Sequence, residues 1–178
     1  MNHPINSLVR SGLAGVFCAG ALVGGLVLPS MAWAEEFNLR HAHVRESYLA
    51  AGNYTRVGVA FLRQADGRLE PATLQLRGLL TGAQGDRWYG MRAQLTYRFN
   101  DGSTIEANME GRFRRNEMGD ISGAQEATGE LTGGTGRFQG IEGRFTLKGE
   151  GGLSPLTPGV LADVYGDLTG EYRLPARQ

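Results

Sequence analysis

Four groupings in this sequence have residue types and spacing that chemistry uses. His41 and His43 stand two positions apart, so on a strand they share a face and could offer two imidazoles to one metal ion. Two histidines make an incomplete site, and no H-x-E, HExxH or Cys partner accompanies them. They read as a solvated pair near the start of the folded chain, and no metal is expected. Glu126, Thr128, Glu130 and Thr132 also alternate, which sets the two carboxylates about 7 Å apart on one strand face. Paired carboxylates can do acid–base work, but Leu131 has the opposite parity, so that face reads as outward and solvated. Arg112, Arg114 and Arg115 flank Phe113 in the manner of a nucleic-acid patch. The whole chain nevertheless balances 18 Lys+Arg against 18 Asp+Glu, without the basic excess that phosphate contacts require, and no nucleic acid is expected. Tyr89, Met91, Tyr97, Phe99, Met109, Phe113, Phe145 and Tyr172 form the candidate ligand-binding set. Tyrosines can orient a ligand or act as weak acids, and methionines line adaptable pockets; the competing reading is plain core packing. No Ser-His-Asp constellation, phosphate loop or dinucleotide fingerprint is present, so no catalytic residue and no cofactor is assigned.

What must position these residues follows from the rest of the chain. Leu13 to Leu28 is an uncharged apolar run, and Ala32-Trp33-Ala34 fits the small-x-small rule of signal peptidase, with cleavage before Glu35. Sixteen apolar residues are short for a membrane span of about 20. Cys18 follows the bulky Phe17 in mid-run, which does not suit a lipoprotein signal. The expectation is therefore a cleaved secretory segment over 1–34 and one exported domain over 35–178, periplasmic or secreted. That domain has no Cys and a net charge of −1. At 144 residues it can bury enough surface to stand without disulfides.

Within 35–178 the pattern is strands. From Tyr89 to Phe99 and from Ile105 to Phe113 apolar and polar residues alternate, separated by Asn100-Asp101-Gly102. A three-residue loop there pairs Tyr97 with Ile105, Leu95 with Ala107 and Arg92 with Glu110, so that both faces agree. For the preceding pair, a two-residue turn at Asp66-Gly67 sets Val57, Val59 and Phe61 toward Ala72, Leu74 and Leu76. It also sets Arg63 opposite Glu70 and, less happily, Arg56 opposite Arg77. Ile141 to Gly149 alternate again, as do Val160, Ala162, Val164, Leu168 and Tyr172 against Asp163, Asp167, Thr169 and Glu171. Phe37 to Val44 reads as the opening strand, and Gly151 to Gly159 as the longest irregular connection. The expected fold is all-β, an eight-stranded antiparallel barrel, with Gly111, Gly129, Gly143, Gly149, Gly166 and Gly170 facing inward. An outer-membrane barrel has the same strand count, but the chain shows no aromatic girdle and no terminal aromatic.

The run Gly133-Gly134-Thr135-Gly136-Arg137-Phe138-Gln139-Gly140-Ile141-Glu142-Gly143 resembles the G-G-T-G-[RK]-[FY]-x-G-x-x-G signature of allene oxide cyclase and dirigent-like barrels. The hairpin with Gly90, Tyr97 and Phe99 is similar to bacterial members, and the resemblance covers roughly Arg87 to Gly149. It implies an eight-stranded, calycin-like barrel with a central cavity, often trimeric. Plant members cyclise a fatty-acid epoxide or steer radical coupling, but their catalytic residues have no counterpart that can be matched here. In this run Gly133, Gly134, Gly136, Gly140 and Gly143 read as a structural turn. Gly134 and Gly136 would take positive φ, Phe138 would fold over the barrel end and Arg137 would pair with an acid at the rim.

Three functions fit these expectations. The first is a binding module holding a small apolar or aromatic ligand in the barrel, with no membrane insertion after cleavage. The second is a cyclase or isomerase that works by confinement, which needs an inward ionisable group. The third is a filled barrel acting through a rim or a subunit interface, which an exposed apolar patch would favour.

Overall fold

A computed structural model describes residues 34–85, 87–115, 121–151 and 164–176. Apart from Ala34, the expected secretory segment lies outside the described residues. So do Val160, Ala162, Asp163 and the connection beyond Gly151. Eight strands follow in order: β1 (Glu35–Tyr48), β2 (Asn53–Arg63), β3 (Leu69–Ala83), β4 (Trp88–Phe99), β5 (Thr104–Arg115), β6 (Ile121–Thr135), β7 (Glu142–Gly151) and β8 (Val164–Arg173). Each pairs antiparallel with its neighbour in sequence, and β8 returns to β1 from Glu35↔Tyr172 to His43↔Val164, which closes the barrel. The fold is all-β, an eight-stranded antiparallel barrel.

Loop chemistry sets the hairpins. Between β4 and β5, Gly102 sits at φ +83°, and the Asp101 carboxylate accepts the Ser103 N–H at 2.9 Å. The resulting register pairs Tyr97 with Ile105, Leu95 with Ala107 and Arg92 with Glu110, as the alternation predicts. Between β2 and β3 the same device recurs. Gly67 is at φ +83°, Asp66 accepts the Arg68 N–H at 3.0 Å, and the Gln64 N–H donates to the Arg68 carbonyl at 2.8 Å.

That loop therefore holds three residues, Ala65-Asp66-Gly67, and not the two expected. The extra residue slips the register by one and exchanges the faces of β2. Phe61 pairs with Pro71 and Arg56 with Leu76; Val59 and Phe61 point outward, while Tyr54, Arg56, Ala60 and Leu62 are buried. The expected opposition of Arg56 and Arg77 is thereby removed, as is that of Arg63 and Glu70. Ala72, Leu74 and Leu76 face inward as expected.

The interior is filled by side chains. Phe37, Leu39, Leu74, Leu95, Tyr97, Ile105, Ile141 and Leu168 are almost fully buried. The inward glycines make room for large neighbours: a Cβ at Gly129 would strike the ring of Phe145 on β7. The outer wall carries ion pairs between adjacent strands, among them Arg40–Asp167, Arg92–Glu110, Arg112–Glu126 and Arg144–Glu130. Glu126 and Glu130 are thus outward and paired, as their parity implies.

Candidate functional site: a polar chamber in the barrel

One end of the barrel is closed by the glycine-rich run. Gly133 and Gly134 lie inside β6, and the turn begins only at Gly136. A bulge between the Glu106 and Ala107 pairings and a Thr104–Thr135 hydroxyl contact at 2.9 Å carry the strand that far. Positive φ falls on Gly136 (+60°) and Gly140 (+74°); Gly134, expected to share it, is extended and lies against the Thr104 and Phe138 carbonyl oxygens. Phe138 is buried over Phe99, ring centroids 5.0 Å apart. Arg137 stacks on both rings and pairs with Glu70 at 2.6 Å and Asp101 at 3.5 Å. Gly143, in β7, packs against the Tyr172 backbone.

The eight candidate residues part company along the barrel. Phe99 belongs to this closed end, as does Tyr172, whose hydroxyl donates to Glu35 at 2.6 Å; burial pushes that phenol's pKa up. Phe145 packs on Phe37, ring centroids 6.1 Å apart. Tyr97 is wholly buried at mid-height, and burial raises its pKa far above the usual phenol range. Tyr89 stacks on Phe113 at 5.8 Å. Met91, Met109 and Phe113 line one chamber toward the other end, together with Tyr54, Leu76, Leu80 and Leu147.

The polar lining of that chamber is His43, Arg45, Arg56 and Gln125. The two histidines are not solvated. His41 is 1% and His43 4% exposed, because Phe37, Leu39, His41 and His43 share the inward parity of β1. That parity was the signal that could have found them. Arg56 and Gln125 followed from neither composition nor motif, although Gln125 has the parity of Gly129 and Leu131. The interior is consequently less apolar than its strand pattern implies.

The geometry of these groups is specific. His41 Nδ1 meets the Tyr97 hydroxyl at 3.2 Å across the barrel, while its Nε2 has no hydrogen-bond partner among the described residues and faces Gly166. The rings of His41 and His43 stand edge to face, centroids 4.9 Å apart. Arg56 Nε donates to His43 Nδ1 at 2.5 Å. A guanidinium cannot accept, so neutral His43 must carry its proton on Nε2. Burial, with the Arg56 charge behind it, holds the His41 pKa at about 4. His43 is held well below its usual value by burial, then by His41 and Arg56. Both rings are neutral at pH 7. Because His43 Nδ1 accepts from a cationic donor, that nitrogen is not open to a metal ion. Among the described residues no group of three or more His, Cys, Asp or Glu could hold a metal ion.

About 20 Å³ is left between these side chains, room for one water molecule. A wider hollow on the outer wall has polar residues that are largely engaged with one another, as in Arg92–Glu110 and Arg144–Glu130. The fold and the chamber define a closed, nearly filled eight-stranded barrel with a basic, partly apolar interior site. In comparison with known proteins, the chain matches no family model and no curated protein sequence.

Proposed function

We propose that this protein is an exported barrel that binds a small apolar or aromatic molecule in the chamber. The observation that carries the reading is the lining itself. Leu76, Leu80, Phe113 and Leu147 form apolar walls, and Met91 and Met109, whose unbranched chains change rotamer cheaply, can widen it. Two further features support the reading. The first strand begins at Glu35, so cleavage after Ala34 would leave the barrel intact. Ion pairs cross the outer wall between β1 and β8, β4 and β5, and β5 and β6, where lipid contact would demand an unbroken apolar band. Binding is favoured over confinement catalysis because His43, the ionisable group best placed to act, has Nδ1 committed to Arg56 and Nε2 already protonated.

Calorimetry and ligand-observed NMR with toluene, phenol and indole test this on the 35–178 protein. We expect saturable binding that Met91→Phe abolishes while the circular dichroism stays unchanged. Failure of all three to bind would overturn the reading.

A specific observation favours a second role. Val59 is 50%, Phe61 39%, Leu69 55% and Tyr165 54% exposed. Ala42 pairs with both Val59 and Tyr165, and Phe61 with Pro71, so these residues form one apolar area across β8, β1, β2 and β3. The trimer that the resemblance implies would use it. Sedimentation of the wild type and of Val59→Thr/Phe61→Ser decides: an oligomer that the double variant dissociates supports the role, and a wild-type monomer sinks it.

A further inference from the structure

His41 Nε2 is a buried side-chain atom that no described residue satisfies. The other nitrogen of the ring, Nδ1, meets the Tyr97 hydroxyl at 3.2 Å, the one hydrogen bond which that buried hydroxyl makes among the described residues. The pair can arrange its protons in two ways. If Nδ1–H donates to the phenol oxygen, the Tyr97 hydroxyl proton and the Nε2 lone pair both lack a partner. If the Tyr97 hydroxyl donates to Nδ1, the neutral ring carries its proton on Nε2, and a single donor lacks a partner. Leaving a buried polar group unmet costs free energy, so burial selects the second arrangement. His41 therefore presents an Nε2–H that calls for an oxygen.

The surroundings of Nε2 join it to the chamber. A Cβ at Gly166 would stand 2.8 Å from Nε2 and 3.6 Å from Leu147 Cδ1. Gly149 and Gly166 pair on β7 and β8, so neither adds a side chain to the wall beside the ring. Leu147 lines the chamber, and its side chain thus borders both the chamber and the neighbourhood of Nε2.

We infer that the ligand is an apolar molecule with one uncharged oxygen acceptor, a ketone, aldehyde or ester carbonyl, which accepts from His41 Nε2–H once the Leu147 side chain turns aside. The inference rests on the binding reading above and adds the polar group of the ligand. A hydrocarbon would leave Nε2–H unmet. A carboxylate fits worse, because burying its charge costs more than one N–H bond returns. Tyr97 acts through His41, holding the tautomer from Nδ1.

The test titrates the 35–178 protein at pH 7.5 with toluene, acetophenone and α-methylstyrene, the last having the shape of acetophenone with a methylene in place of the oxygen. We expect ¹H–¹⁵N NMR to show His41 in the Nε2–H form, its proton moving downfield with acetophenone and not with α-methylstyrene. His41→Phe/Tyr97→Phe replaces both partners by apolar rings. Its calorimetric affinity for acetophenone relative to α-methylstyrene should be lower than that of the wild type by about fivefold. Should that variant fail to fold, the wild-type NMR comparison decides. An Nδ1–H tautomer would overturn the inference, as would bound acetophenone that leaves the Nε2–H signal in place. Binding of toluene without acetophenone sinks the inference and leaves the apolar reading standing. If none of the three binds, both fail.

Discussion

The Arg56 guanidinium donates from Nε to Nδ1 of His43 at 2.5 Å, inside the barrel and across the β1–β2 pair. A permanent cation is thus bonded to an imidazole that must stay neutral to accept. Long-range ¹H–¹⁵N NMR at pH 7.5 should show His43 in the Nε2–H form, with Nδ1 unprotonated. In Arg56→Leu the acid midpoint of His43 should move up toward the ordinary value, and stability should fall by roughly 1–3 kcal/mol. An Nδ1–H tautomer in the wild type would show that the bond is absent.

Acid should begin to weaken the fold as pH falls below the ordinary histidine value. Both histidine pKa values are lower in the folded protein than in the unfolded chain, so the unfolded chain binds more protons as pH drops below 6.5. Stability is therefore full above pH 6.5 and declines toward pH 4, by about 3 kcal/mol for His41 alone. Asp66 and Asp101, whose pKa values are lowered by Arg68 and Ser103 N–H bonds, add a separate loss as pH falls through the carboxylate range. Urea midpoints at pH 7.5, 5.5 and 4.5 in wild type and His41→Gln check the assignment. A flat wild-type profile across these values would refute it.

Adjacent glycines in the resembling run should respond differently. A Cβ at Gly133 meets nothing, and its φ is ordinary, so Gly133→Ala should be neutral or stabilising by up to about 1 kcal/mol. A Cβ at Gly134 would overlap the Thr104 and Phe138 carbonyl oxygens, so Gly134→Ala should cost roughly 1–3 kcal/mol. Thermal midpoints of the two variants that shift equally would contradict the packing seen here.

Phe138→Ala should destabilise by roughly 3–5 kcal/mol, since the ring is 4% exposed and closes the barrel over Phe99. The chamber lies toward the opposite end, so ligand affinity measured well below the melting temperature should not change. Loss of binding at unchanged stability would make this turn a functional site and not a structural one.

The strand pattern alone carried most of the architecture. From Tyr89 to Phe113 only one parity is apolar, and Asn100-Asp101-Gly102 permits one register that keeps both faces consistent, so local chemistry suffices there. On β2 it does not. Val57, Val59 and Phe61 compete with Tyr54, Ala60 and Leu62 for the inward side, and both sets are apolar. A loop of two or three residues reverses the outcome, because strand side chains alternate with a period of two. Only closure of the barrel, with β2 held between β1 and β3, puts Arg56 inside beside His43 and leaves Val59 and Phe61 on the surface. The histidines were legible from the parity of Phe37 and Leu39, but polar residues are ordinarily solvated, and that expectation outweighed the pattern. What joins His43, Arg56 and Gln125 is the curvature that brings β1, β2 and β6 around one interior, a relation between distant segments that no local spacing expresses.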